Sequence, residues 1–171
     1  MEPGELKEAE ERAQVQGEKR IGVTMAIVAV FLAMATMFAH RTHTEEVVLQ
    51  TRAADQWGYY QAKNSRSHLY EAESKLATLS TSGKDLAGEL AEDAKKESDD
   101  AERIRQKAEH LEKETDAAAR RATYFDVAEV MLEISLVLCS VTLLTTLPVF
   151  WLVSFISTLA GLGLILFGVL R

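Results

Sequence analysis

Residues 21–39 carry no charged side chain over 19 positions. As a helix rising 1.5 Å per residue, that stretch covers roughly 28 Å, about the thickness of a bilayer's hydrocarbon layer. A helix apolar on every side has no aqueous face, so the stretch reads as a first transmembrane helix. Ala26, Ala29, Ala33 and Thr36 form a small-residue stripe along it, a pattern that permits close helix approach.

The rest of the chain divides around this stretch. Charged residues make up 26% of the 171, with a net charge of −7, yet they are almost confined to the first 20 positions and a long middle block. Such segregation predicts an all-α membrane protein with a solvated extension. The acidic balance has no basic patch, so nucleic acid is not expected as a partner. The single cysteine, Cys139, lies in an apolar run and excludes a disulfide framework or a thiolate metal cluster. Pro3 and Pro148 are the only prolines, so nothing interrupts a helix between them.

Residues 1–20 read as a polar, partly helical tail in which Glu8 and Arg12 are spaced for a weak pair. Its acidic start is unlike a secretory signal. After His40, Arg41 and His43 the composition favours a helix running on into solvent. The run Ser80-Thr81-Ser82-Gly83-Lys84-Asp85 is a turn signal, with Gly83 expected as a C-cap and Asp85 as the next N-cap. In the following helix Leu90, Ala94, Ala101, Ile104, Ala108, Leu111, Ala118, Ala122 and Phe125 keep to alternating steps of four and three, with Glu97 and Thr115 as polar exceptions. That repeat is the signature of a left-handed coiled coil.

The second span is expected over residues 126–147 and so must include Glu129 and Glu133. The third covers 148–171, where Ser157, Gly161, Gly163 and Gly168 offer close packing. Phe150 and Trp151 are suited to one membrane boundary and Arg171 to the other. The predicted fold is therefore three transmembrane helices, with residues 40–125 forming a long antiparallel coiled-coil hairpin between the first and second. Each hairpin helix would reach roughly 60 Å. Lys7, Arg12, Lys19 and Arg20 in the short tail, against Arg171 alone at the C-terminal end, favour a cytoplasmic N-terminus and an arm outside, periplasmic where the cell has a periplasm, while Arg41, Arg120 and Arg121 argue for the opposite orientation.

A hairpin turning near Ser82-Gly83 sets Trp57 opposite Ala108, with Leu111 one turn on, and Tyr60 near Ile104 and Arg105. Bulky Trp57 and Tyr60 would then fill an alanine-lined seam, with Leu69 and Leu76 coming near Glu97, Ala94 and Leu90. Tyr59, Lys63, Arg66 and Tyr70 fall on a neighbouring face that would stay free for a second protomer or another membrane protein complex. A two-helix arm buries little apolar surface alone, so a homo-oligomer is expected.

The run Leu49-Gln50-Thr51, then Ala54-Asp55-Gln56-Trp57-Gly58-Tyr59-Tyr60-Gln61-Ala62-Lys63, then Arg66 and Leu69-Tyr70, resembles a bacterial membrane-protein family known as domain of unknown function 4337. So does the pair of spans beginning near Tyr124-Phe125-Asp126-Val127-Ala128-Glu129-Val130. The resemblance covers residues 21–170 and implies a bacterial inner-membrane protein of this layout; it implies no activity. Family members often carry basic residues between the last two spans, where this chain has Thr145-Thr146-Leu147-Pro148.

Asp126, Glu129, Glu133 and Ser140 share one face of the second span. Carboxylates at membrane depth are costly unless paired, protonated or hydrated. Charge compensation by His40, Arg41 and His43 is one reading; an ion or proton path through Glu129 and Glu133 in an oligomer is the other. His40 and His43 with Glu129 are a weaker candidate for a metal site. The sequence holds no nucleophile–base pair, phosphate-binding glycine loop or cofactor motif, so it is not expected to be an enzyme. The leading expectation is a scaffold or accessory subunit in the lipid bilayer, and the alternative is a small oligomeric conduit.

Overall fold

The computed structural model describes residues 3–80 and 83–170, with side chains from residue 15 onward. Among them the chain forms three α-helices and no strand: α1 (Pro3–Ala77), α2 (Lys84–Thr145) and α3 (Pro148–Leu170). The tail is helical from Pro3, while the Glu8–Arg12 pair, Thr81, Ser82 and Arg171 lie outside the residues or side chains described. All three helices contain stretches long and apolar enough to cross a membrane. The chain divides into two compact units, one built from residues up to His43 with those from Ala119 on, the other from Thr44–Ala118.

Thr44–Ala118 is an antiparallel helix pair. Ser67 Oγ donates to Ala94 O at 2.8 Å and Ser74 Oγ to Ala87 O at 2.7 Å. The two pairs are seven residues apart on each helix, which sets Tyr60 level with Ala101 and Ala53 level with Ala108. A serine hydroxyl reaches a carbonyl of the facing helix only where the backbones run close. Alanine allows that: Ala87, Ala94, Ala101 and Ala108 are all buried.

Both helices keep a seven-residue seam. On α2 it follows the predicted positions from Leu90 to Phe125, none of them fully exposed, with Glu97 and Thr115 included. On α1 the seam in this unit is Glu46, Leu49, Ala53, Gln56, Tyr60, Lys63, Ser67, Tyr70, Ser74 and Ala77, again without an exposed position. The expected match of large α1 residues to small α2 residues survives only where Tyr60 lies level with Ala101; at the Ala87, Ala94 and Ala108 levels small meets small, and Leu69 and Leu76, expected beside the α2 seam, are exposed. Ala53, not Trp57, lies opposite Ala108.

The turn differs from the expected capping. Ala87 N–H donates to Gly83 O at 2.9 Å, so Gly83 accepts the first hydrogen bond of α2 and is its N-cap. Gly83 has no positive φ, so it is not the left-handed C-cap of α1. It is needed for space instead: a Cβ there would lie 2.4 Å from Ala77 O. Asp85 falls in the first turn of α2, where a negative charge suits the helix dipole.

In the other unit α2 packs against both α1 and α3. Val28, Ala35 and Leu132 form the buried core, with Phe31, Leu32, Leu136 and Ile165 around it. The α1 face turned inward is Val28, Ala35, Ala39 and Thr42. The predicted small-residue stripe faces the other way: Ala26, Ala29 and Ala33 are exposed and only Thr36 is half-buried. Larger Val28 and Leu32 share the inward face with alanine, and a stripe chosen only for small size overlooks them.

Serine and threonine join α2 to α3. Ser135 Oγ lies 2.9 Å from Ser154 O and 2.7 Å from Thr158 Oγ1, and Ser157 Oγ donates to Met131 O at 2.6 Å. Cys139, fully buried, donates to Ser154 Oγ at 3.2 Å. Gly161 lies against Leu132 and the Ala128 carbonyl, and Gly168 gives room to the Phe125 ring. Phe125 also stacks on Phe38 at 5.6 Å. Gly163, expected to share this role, is exposed with open space around it. The α2–α3 link is Thr146-Leu147, with Pro148 opening α3 at the position where its fixed φ suits a helix start.

Candidate interaction face and charge clusters

The aromatic run on α1 divides between three environments. Trp57 is half-buried, its Nε1 donating to Glu112 Oε1 at 2.8 Å and its ring meeting Tyr60 edge-on at 5.6 Å. Tyr60 belongs to the seam, as does half-buried Tyr70, whereas Tyr59 is 51% exposed.

Lys63 is not on a free face. Its side chain is 13% exposed, and Nζ lies 3.0 Å from both oxygens of Glu97, aligned for hydrogen bonding with Oε1. It also donates to Asp100 Oδ2 at 3.1 Å. Arg103 bonds the other oxygen of Asp100 from outside, and Arg66 stands 4.0 Å from Glu97. The hydrogen bonds that Lys63 donates to Glu97 and then to Asp100 hold its ammonium above its ordinary pKa. The hydrogen bonds that Asp100 accepts from Arg103 and then from Lys63 hold its carboxyl below its own ordinary pKa. Glu97, the polar exception in the α2 seam, therefore has its counter-charge directly across the pair. Of the four residues expected on a free face, Tyr59 and Arg66 are exposed and Lys63 and Tyr70 pack inward.

The polar cluster of the other unit is also redistributed. His43 Nε2 lies 3.1 Å from both oxygens of Asp126, and Thr36 Oγ1 donates to Glu129 Oε1 at 2.6 Å. His40 and Arg41 are exposed. Histidine and glutamate thus turn to separate partners, and among the described residues no group of three His, Cys, Asp or Glu is arranged to hold a metal ion. Ser140 Oγ donates to Leu136 O within its own helix.

Glu133 differs from the other two acids. It is exposed, and no hydrogen bond or ion pair engages it among the described residues. It follows Leu132, whose side chain lies against Gly161 near the middle of α3, so it sits at mid-level of the apolar stretch. A cleft of about 320 Å³ lined by Ile21, Leu143, Pro148 and Trp151, with Glu18 and Arg20, brings together no histidine, cysteine or lysine.

A family model matches residues 17–171, almost the whole chain. The chain belongs to the family described as Domain of unknown function (DUF4337). No curated protein and no solved structure matches it. The DUF4337 assignment covers both the apolar helices and the Asp55–Lys63 run, so the aromatic run lies within the family's own domain.

The α1 seam is what sequence reasoning missed. Its signal is there, since Ala53, Tyr60, Ser67 and Ser74 are spaced by seven, as are Gln56, Lys63, Tyr70 and Ala77. Hydropathy hides it because so many of these side chains are polar.

Proposed function

We propose that this DUF4337 chain is a non-enzymatic scaffold or accessory subunit of the bacterial inner membrane. It self-associates and offers its helical hairpin to protein partners, with the N-terminus cytoplasmic and the hairpin periplasmic. The observation that carries this reading is the exposed apolar surface of the hairpin outside its own seam. Leu69 and Leu76 stand 54% and 65% exposed on α1, in a segment too charged to lie in lipid. They lie seven residues apart on one face of the helix, and apolar side chains aligned on one exposed face, unlike scattered ones, suit an interaction surface. The chain, purified whole in mild detergent, should have a particle mass above that of one protomer or co-purify with a defined membrane protein. A bare monomer at every concentration would rule the reading out.

One observation favours a second reading, an oligomeric ion or proton conduit. Glu133 stands at mid-level of the apolar stretch of α2 with no partner among the described residues, and a carboxyl group in such a position is costly facing lipid. Liposomes carrying the protein would pass protons or cations, and Glu133→Gln would abolish the flux. Equal flux with both proteins, or none with either, removes the conduit.

A further inference from the structure

Opposite the seam that joins it to α2, α1 carries a second row with the same spacing. Ala62, Ser65, Leu69, Ala72 and Leu76 follow steps of three and four, and all five are exposed. Alternating three-and-four spacing is the pattern by which one helix meets another. The row ends at Gly58 and Asp55, where the chain offers no side chain and then a charge.

We infer that this row is the contact between two copies of the chain, packed as a parallel, in-register helix pair about a two-fold axis. The inference rests on the self-association proposed above and adds its surface and geometry. Copies inserted in one bilayer with one topology present their hairpins on the same side, so their α1 segments run in the same direction. A two-fold contact is self-complementary, with each level meeting its own counterpart. Leu69 and Leu76 then meet the same residues of the second copy, and Ala62, Ser65 and Ala72 let the backbones approach.

The flanks fit this arrangement. In a parallel pair the residue just before one core position faces the residue four places after that same core position on the other helix. His68 precedes Leu69, and Glu73 follows it by four, so His68 of one copy faces the partner's Glu73, adding a second acid to Glu71, now 3.8 Å away. One heptad earlier Gln61 faces the partner's Arg66. No like charges oppose each other. The outer surface of α2 over the same levels is dominated by charged side chains such as Glu92, Asp93 and Lys96, so the apolar row singles out α1. A row this short is weak for free helices, but two copies tethered in one membrane meet at high effective concentration.

Full-length protein in liposomes, with Cys139→Ser removing the native thiol, provides the test. Under mild oxidation Leu69→Cys and Leu76→Cys should each give disulfide-linked dimers, and Glu102→Cys on the outer side of α2 should not. A stronger product from mixing Leu69→Cys with Leu76→Cys than from either alone would overturn the in-register pairing. Absence of cross-linking from protein that still has multimeric mass in detergent would overturn this surface and leave self-association standing. Absence of both would remove the two together. Leu69→Glu with Leu76→Glu should leave helical content unchanged and lose the cross-link of a Ser65→Cys reporter; persistence of that cross-link counts against the row.

Discussion

Thr146 shows how much a single residue can hold. Its φ of 55° is the only positive value for a non-glycine residue among those described, and a β-branched side chain there is strained by about 1–3 kcal/mol. The conformation lets Thr146 N–H bond Thr142 O at 2.9 Å and turn the chain into Pro148. Thr146→Gly relieves the strain but adds freedom to the unfolded chain, so stability should rise by up to about 1 kcal/mol, read as a higher thermal midpoint in detergent. Lys63 is the residue whose role sequence reading assigned to the wrong surface. Its two carboxylate partners make Lys63→Met more damaging than Arg66→Met, which exposes no inward carboxylate, and the unfolding midpoints should rank accordingly. The same cluster sets a pH dependence. Asp100 has a lowered pKa, so its contribution is present above the unfolded value and fades as pH falls below about 4. Lys63 has a raised one, so its contribution is lost only as pH climbs past about 10.5. The loss of denaturant midpoint caused by Lys63→Met should therefore be constant between these limits and shrink outside them.

At the scale of the helices, close approach is the common device. Ala108 is fully buried on a seam of small residues, so Ala108→Leu should overpack it and cost about 1–3 kcal/mol, seen in thermal unfolding. Gly83→Ala should also destabilise, because its Cβ would meet the backbone oxygen of Ala77, and a loss of hairpin helicity would register it. These elements differ in how readable they were. The apolar stretches and the α2 seam were legible because leucine, isoleucine and alanine state their burial directly. The α1 seam was not, because Lys63, Ser67 and Ser74 are buried by pairing with an acid or a carbonyl of the facing helix. Such partners lie twenty or more residues away for the first two, and no local pattern announces them. The acids of the second unit were read as one cluster for a related reason: helical spacing gives the shared face of Asp126, Glu129 and Glu133, but not that His43 and Thr36 serve two of them and leave the third.

For the molecule as a whole, order, number and apolar character of the helices followed from charge segregation, and the family from the Asp55–Lys63 run. The surface offered to partners did not, since it depended on knowing which α1 face the hairpin consumes. The hairpin's register has a consequence for its length. Ser67 with Ala94 and Ser74 with Ala87 repeat by seven on both helices, so arm length is quantised. Deleting residues 50–56 together with residues 105–111 removes one matched step from each side and should leave a folded, shorter hairpin with Lys63 still on Glu97. Deleting either segment alone should cost the far end its pairing, which protease sensitivity would reveal. Insertions and losses tolerated in this hairpin should come as sevens, in pairs.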